Sequence, residues 1–179
     1  MLLELSTGGI RRGGKKWFIM YTKWEKVGNL NFMLIGEYIH TIDIKNRISL
    51  PAKFRKELGK RVVVAPAPDQ CLFIFTMKEW DKVSKYLTGG GNELSFLKAD
   101  VRSFNRFMLG RASDAEVDSI GRILIPEFLK DRIGLKDKAA LIGVGDRMEI
   151  WNDKTWAKYK ENAEKSAEVL AEKLGGERK

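Results

Sequence analysis

One cysteine, one histidine and four prolines are all that this 179-residue chain carries of three residue types on which whole protein classes depend. A lone thiol cannot close an internal disulfide, so a disulfide-stapled scaffold and a paired-cysteine metal site are both excluded. Cys71 lies in the apolar run Cys71-Leu72-Phe73-Ile74-Phe75, where a buried, inert thiol is expected. With His40 as the only imidazole there is no H-E-x-x-H zinc motif, and no catalytic triad can be drawn. A single strand histidine is more often a packed or surface residue than a general base. Long apolar runs are missing too: the longest are a few residues, against the roughly 20 that span a bilayer. The first 32 residues lack the apolar segment and small-residue cleavage site of a secretory signal, so secretion is not expected. A G-x-x-x-x-G-K-[ST] phosphate loop is absent, and Gly143-Val144-Gly145 falls in a hairpin turn without the helix that a dinucleotide fingerprint requires. No enzyme activity, metal, cofactor, small-molecule substrate or membrane association is therefore expected.

What the chain does have is positive charge. Lys and Arg number 33 against 24 Asp and Glu, a net charge of +9, which favours acidic partners through long-range attraction. The first 32 residues hold six basic and two acidic side chains, and so supply four of those nine charges. The rest is only mildly basic, and its function has to be read from where the charges sit. The hydrophobic content of 44% suits one ordinary domain or two small halves that share a core.

The chain contains itself twice. Asp43-Ile44-Lys45-Asn46-Arg47-Ile48-Ser49-Leu50-Pro51 is answered by Asp118-Ser119-Ile120-Gly121-Arg122-Ile123-Leu124-Ile125-Pro126 at an offset of 75 residues. The register continues through Phe54 with Leu129, Leu58 with Ile133 and Gly59 with Gly134. Each copy reads as turn, strand, short helix, strand. Asn46 and Gly121 hold the turn position that demands positive φ, which these two residue types accept most readily. After the turn, Ile48 and Leu50 share one strand face, with Ile123 and Ile125 as their counterparts. Pro51 and Pro126 suit the first helical position, and Gly59 and Gly134 the position just past the helix end. The pairs Phe54/Leu58 and Leu129/Ile133, spaced i, i+4, give each helix one buried side.

Two further hairpins are expected: Val62-Val63-Val64 with Leu72-Phe73-Ile74-Phe75, and Ala139-Ala140-Leu141-Ile142 with Met148-Glu149-Ile150-Trp151. Neither half has enough strands to close a sheet alone, so two halves pairing about a pseudo-twofold axis is the economical solution. Between them, residues 84–115 begin with the loop Thr88-Gly89-Gly90-Gly91-Asn92 and continue as a linker helix with Leu97, Val101, Phe104 and Met108 on its packing side. From Asp153 to Leu174 an amphipathic helix carries Trp156, Tyr159, Ala163, Ala167, Leu170 and Leu174 on one stripe, to be covered by its own domain or by a neighbouring subunit.

The paired Asp-x-x-x-Arg elements, Asp43/Arg47 and Asp118/Arg122, each run into strand, proline and helix. With Met33-Leu34-Ile35-Gly36-Glu37-Tyr38 and Leu141-Ile142-Gly143-Val144-Gly145-Asp146-Arg147 they make the chain from Met33 to about Tyr159 resemble the MraZ family of bacterial regulators. The resemblance implies an α+β, mainly β fold. It would be a double-split β-barrel of two pseudo-twofold-related swapped-hairpin halves, related to the AbrB-like regulators, with peripheral helices. The implied organisation is an N-terminal extension at 1–32, repeats at 33–83 and 116–159, a linker helix at 84–115 and a C-terminal helix and tail at 160–179. It further implies a cytoplasmic, nucleoid-associated ring homo-oligomer that binds short direct repeats in double-stranded DNA upstream of a division and cell-wall gene cluster. Met33 would be the customary starting methionine. Residues 1–32 are then a non-native start or a disordered extension, with a basic arm that adds DNA affinity as the alternative.

An arginine on a rigid hairpin places its planar fork against a guanine edge or a phosphate with less entropic loss than one on a loose loop. Arg47 and Arg122 are therefore the expected DNA contacts, with Arg47 foremost. Asp43 and Asp118 position them, and Asn46 and Gly121 shape the turns. The plainer alternative is a surface ion pair that steadies the turn, worth roughly 0–1 kcal/mol. Lys45, Lys53 and Arg55 add phosphate contacts near the first copy, whereas the second offers Ser119, Glu127 and Phe128 in that region. Arg102, Arg106 and Arg111 on the linker helix are further candidates. The competing reading is a structural or scaffolding homo-oligomer with nonspecific nucleic-acid affinity.

Overall fold

Two hairpin turns and the strands that follow them set the plan of the molecule. The computed structural model describes residues 33–89 and 95–176; the expectations for residues 1–32, for the centre of the glycine loop and for the last three residues lie outside them. The first copy runs β1 (Leu34–Thr41), β2 (Arg47–Ser49), α1 (Ala52–Leu58), β3 (Arg61–Pro66), β4 (Cys71–Thr76) and α2 (Met77–Leu87). A single 3-10 turn, Ser95–Leu97, and α3 (Ala99–Met108) intervene. The second copy runs β5 (Ser113–Glu116), β6 (Arg122–Leu124), α4 (Glu127–Arg132), β7 (Lys138–Gly145), β8 (Met148–Asn152) and α5 (Asp153–Gly176).

The architecture is α+β and mainly β: an antiparallel six-stranded sheet in the order β1-β7-β8-β4-β3-β5, and a two-stranded ribbon β2-β6. Exchanging each strand for its equivalent in the other copy turns the sheet order into its own reverse. The two copies interleave, because β1 pairs with β7 and β5 with β3, each an edge strand of one copy laid on the other. The expected hairpins β3–β4 and β7–β8 are present, in registers that set Val64 opposite Ile74 and Leu141 opposite Ile150.

The ribbon has the same symmetry at atomic detail. Ile48 faces Ile123 at its centre, with Arg47 opposite Leu124 and Ser49 opposite Arg122. Past its ends Leu50 N donates to Gly121 O and Ile125 N donates to Asn46 O, both at 2.8 Å. Each turn residue thus accepts a hydrogen bond from the other copy's strand. Ile48, Leu50, Ile123 and Ile125 are fully or almost fully buried, and Phe54, Leu58, Leu129 and Ile133 are buried as well. Burying each such side chain contributes about 1.5–3 kcal/mol relative to exposure.

Pro51 and Pro126 stand one residue earlier than expected, as extended N-caps (φ −53°, ψ 131° and φ −54°, ψ 140°). Gly143 has a steric reason. A Cβ there would lie 2.5 Å from the Leu34 carbonyl carbon, so β1 and β7 approach as closely as they do only because that atom is missing. Cys71 is buried, and desolvation pushes its thiol well above the ordinary range.

The helices differ more from expectation. The stretch 84–115 holds the end of α2, the 3-10 turn, α3 and most of β5. Strand β5, Ser-Asp-Ala-Glu, buries only Ala115, so no apolar alternation marks it. Of the α3 stripe only Met108 is buried, while Leu97 and Phe104 stand exposed among the described residues. Helix α5 docks through its first turns, where Trp156 and Tyr159 pack on Trp151 at ring separations of 5.5 and 4.8 Å. Beyond them Val169, Leu170 and Leu174 are exposed. No helix of the described residues is long and apolar enough to cross a membrane.

Two stability predictions follow from this packing. Ile48→Ala and Ile123→Ala should each lower unfolding free energy by about 2–5 kcal/mol, and because the side chains meet across the ribbon the double variant should lose less than the sum. A urea-denaturation double-mutant cycle checks this, and strict additivity would mean that the two residues do not share one core. Gly143→Ala should cost about 1–3 kcal/mol by forcing β1 away from β7, read as a lowered urea midpoint.

Candidate nucleic-acid interface

Each Asp-x-x-x-Arg element is a three-residue hairpin loop closed the same way. Asp43 N donates to Arg47 O and Asn46 N to Asp43 O, both at 2.9 Å, and Asp118, Arg122 and Gly121 repeat these bonds at the same lengths. This is a type I turn followed by a residue in the left-handed region. Asn46 sits there at φ 59° and Gly121 at φ 82°. Asparagine tolerates that region and glycine has no Cβ to clash in it.

The aspartates use both oxygens. Asp43 Oδ1 accepts the backbone N–H of Lys45 (2.8 Å) and of Arg47 (2.9 Å), while Oδ2 accepts Arg47 Nε and Nη2, each at 2.8 Å. Asp118 Oδ1 accepts from Ile120 N (3.1 Å) and Arg122 N (2.8 Å), and its Oδ2 takes Arg122 Nε and Nη2 at 2.8 Å. The backbone N–H of the arginine, followed by its guanidinium and the second turn N–H, favours each carboxylate. Together they outweigh desolvation and hold both carboxyls below the ordinary aspartate value.

The two hairpins are also tied to each other. Arg122 Nη1 lies 3.5 Å from Asp43 Oδ2, so Asp43 faces both guanidinium groups. Both turns therefore open at one place on the surface. The arginine side chains keep 34% (Arg47) and 23% (Arg122) of their exposure. The ion pair of the plainer reading is real, and it takes one edge of the fork. Of the five guanidinium N–H donors, the aspartate occupies those on Nε and one side of Nη2. Nη1 of Arg47 has no partner among the described residues and faces away from its aspartate.

Lys45 at the first turn and Lys53 on α1 are exposed, and their ammonium groups have no carboxylate partner among the described residues. Ile44, beside Lys45, is fully exposed at the hairpin tip. Arg55 belongs to the first copy but lies on the second hairpin: a Cβ on Gly121 would run into its side chain at Nε, Cδ and Cζ. Its Nε donates to Leu50 O at 2.9 Å. No local pattern in the sequence signals that placement. On the stretch between the copies, Arg102 donates to the carbonyls of Phe96 and Leu97, and Arg111 rests over the Phe128 ring, 5.8 Å from its centroid. His40 Nδ1 lies 2.5 Å from Ser49 O and steadies the strand leading to the first helix.

Over residues 33–107 and again over 108–175 the chain matches the family described as "MraZ protein, putative antitoxin-like". Proteins named Transcriptional regulator MraZ from Thermoanaerobacter sp. and from Syntrophomonas wolfei are each 42% identical to it over 142 residues, which is 79% of this chain and 96% of theirs. One of the same name from Acetivibrio thermocellus is 39% identical over the same length. The first match spans β1 to α3 and the second opens before β5 and ends in α5, so the family's unit coincides with the interleaved repeat, and this chain belongs to the MraZ family.

Proposed function

We propose that this protein is a sequence-specific DNA-binding transcription regulator that reads duplex DNA with Arg47 and Arg122. The observation that carries the reading is the paired clamp: two Asp–Arg hairpins side by side, joined through Arg122 and Asp43 at 3.5 Å, each with part of its guanidinium exposed. Clamping removes rotamer freedom before DNA arrives, so less entropy is lost on contact. Asp43 and Asp118 serve as positioning residues, and Lys45 and Lys53 supply phosphate contacts beside the first turn. The relatives' shared name, Transcriptional regulator MraZ, points the same way.

The ribbon and the six-stranded sheet together form a double-split barrel in this reading, and the isolated bridge between Ile42 and Ile48, which links the end of β1 to β2, supports that closure. Several copies in a ring would set hairpin pairs against short direct repeats spaced at about one helical turn, ~10 bp. The target is DNA upstream of a division and cell-wall gene cluster that includes the protein's own gene, and the site of action is the nucleoid in the cytoplasm. The exposed apolar side chains of distal α5 and the exposed Ile35 and Ile39 on edge strand β1 give such an assembly surfaces to bury.

Footprinting on that upstream DNA, with native mass measurement of the free protein, tests the target and the assembly together. In anisotropy titrations at fixed salt, Arg47→Ala should weaken operator binding by about 10-fold or more and remove most of the preference over scrambled DNA, with the thermal midpoint nearly unchanged. Wild-type affinity in that variant would overturn the assignment. Asp43→Asn keeps both guanidinium groups and should cost less, about 3–10-fold, because it frees Arg47 and weakens the link to Arg122 rather than deleting a contact.

A further inference from the structure

A cleft of about 580 Å³ opens beside the second hairpin, lined by Arg55, Lys60 and Arg61 of the first copy and by Asp118, Ser119 and Gly121 of the second, with Glu116 and Val117 completing its wall. Its floor is fixed by backbone: Val117 N donates to Lys60 O at 2.9 Å. Two of its acidic or basic groups are already spoken for. Arg61 is ion-paired with Asp114 across the β3–β5 ladder, and Asp118 is held by Arg122. Arg55 spends only Nε on Leu50 O, so both of its Nη groups are without a partner among the described residues. Lys60 is exposed, and its ammonium is likewise without one. Glu116, opposite Arg61 in the ladder, is the single acidic side chain of the wall not held by an arginine of its own hairpin.

Two unneutralised cations from the first copy thus flank the turn of the second, which has no lysine or arginine of its own between Asp118 and Arg122. The pseudo-twofold counterpart is different. At the position equivalent to Lys60 stands Leu135, which is buried, and Arg55 is answered by Lys130. Arg55 and Lys60 thus present an open guanidinium fork and an ammonium on one side of one turn. We propose that this cleft is a phosphate-binding site, supplied across the repeat boundary by Arg55 and Lys60, which grips a phosphodiester of the duplex beside the bases read by Arg122. A guanidinium donates two parallel N–H bonds to phosphate oxygens, and an ammonium neutralises the remaining charge. The proposal rests on the DNA-binding reading and adds to it the source of the second hairpin's backbone contact.

The test uses full-length protein and labelled DNA from upstream of its own gene, with a scrambled duplex beside it, titrated by anisotropy across a series of salt concentrations. Lys60→Gln, a change at an exposed side chain, should weaken both duplexes by a similar factor and lower the slope of log affinity against log salt by about one. Arg55→Gln should do the same, and the double variant should lower the slope by about two. Lys60→Arg should restore it. A loss of stability in Arg55→Gln, which gives up the bond to Leu50, leaves the Lys60 series to decide. Lys173→Gln, at the far end of α5, controls for net charge and should leave the slope unchanged. Slopes unaltered in both cleft variants, or lowered equally by Lys173→Gln, would overturn the proposal. Lys60-dependent thermal stabilisation by inorganic phosphate at constant ionic strength, together with DNA slopes unaltered in both cleft variants, would make the cleft a site for a small phosphorylated ligand instead. If wild-type protein fails to prefer its upstream DNA, the underlying reading falls instead, which the same titration distinguishes.

Discussion

The pairing of β2 with β6 is the constraint on which the other features depend. Each of these strands has three residues, and in the chain's own repeat neither has a partner long enough to satisfy its backbone. A buried N–H or C=O without a partner costs as much as a lost hydrogen bond, so each strand is stable only against the other. That requirement draws the turns together as well, because Asn46 O and Gly121 O accept the N–H groups of Ile125 and Leu50 just beyond the ladder. The closeness of the two Asp–Arg clamps is thus a consequence of core formation, with no separate interaction needed to bring them side by side.

Within each turn one carboxylate performs two jobs that would otherwise compete. Oδ1 satisfies two backbone N–H groups and fixes the loop, and Oδ2 fixes the guanidinium. Exposed ion pairs contribute little because long side chains lose entropy in meeting. Here the carboxylate is already immobilised by the turn, so only the arginine loses freedom. The same arrangement sets the limit of the clamp: a fork held on its Nε edge recognises through what remains at Nη1 and the outer side of Nη2. Specificity in such a site depends on where the hairpin is aimed, which the ribbon decides.

The local chemistry of this fold was legible in the sequence, and its long-range partnerships were not. The matched turns, the buried faces of Ile48/Leu50 and Ile123/Ile125 and the two later hairpins follow from periods of two and four residues and from turn chemistry. Helix α2 carries a readable local signal: Thr76 caps it by accepting from Glu79 N at 3.1 Å, and Thr-x-x-Glu is a capping pattern. Strand β5 had no such signal, since an edge strand with one small buried residue looks like a loop. The laying of β1 on β7 and of β5 on β3 could not be read from either repeat, because pairing between segments distant in the chain is set by the assembled core.

Interleaving also explains how two copies with the same plan can be chemically unequal without loss of symmetry in the backbone. When each half lies across the other's turn, a substitution in one copy changes the surroundings of the opposite hairpin. Arg55 and Lys60 are first-copy residues, yet they border Gly121 and Asp118. Leu135, the counterpart of Lys60, is instead drawn into the core. The first hairpin carries its own cation at Lys45, and the second has none within its turn. Charge absent from the second turn is thereby returned from the first copy, so an apparently one-sided distribution along the sequence becomes a two-sided one around the paired clamps.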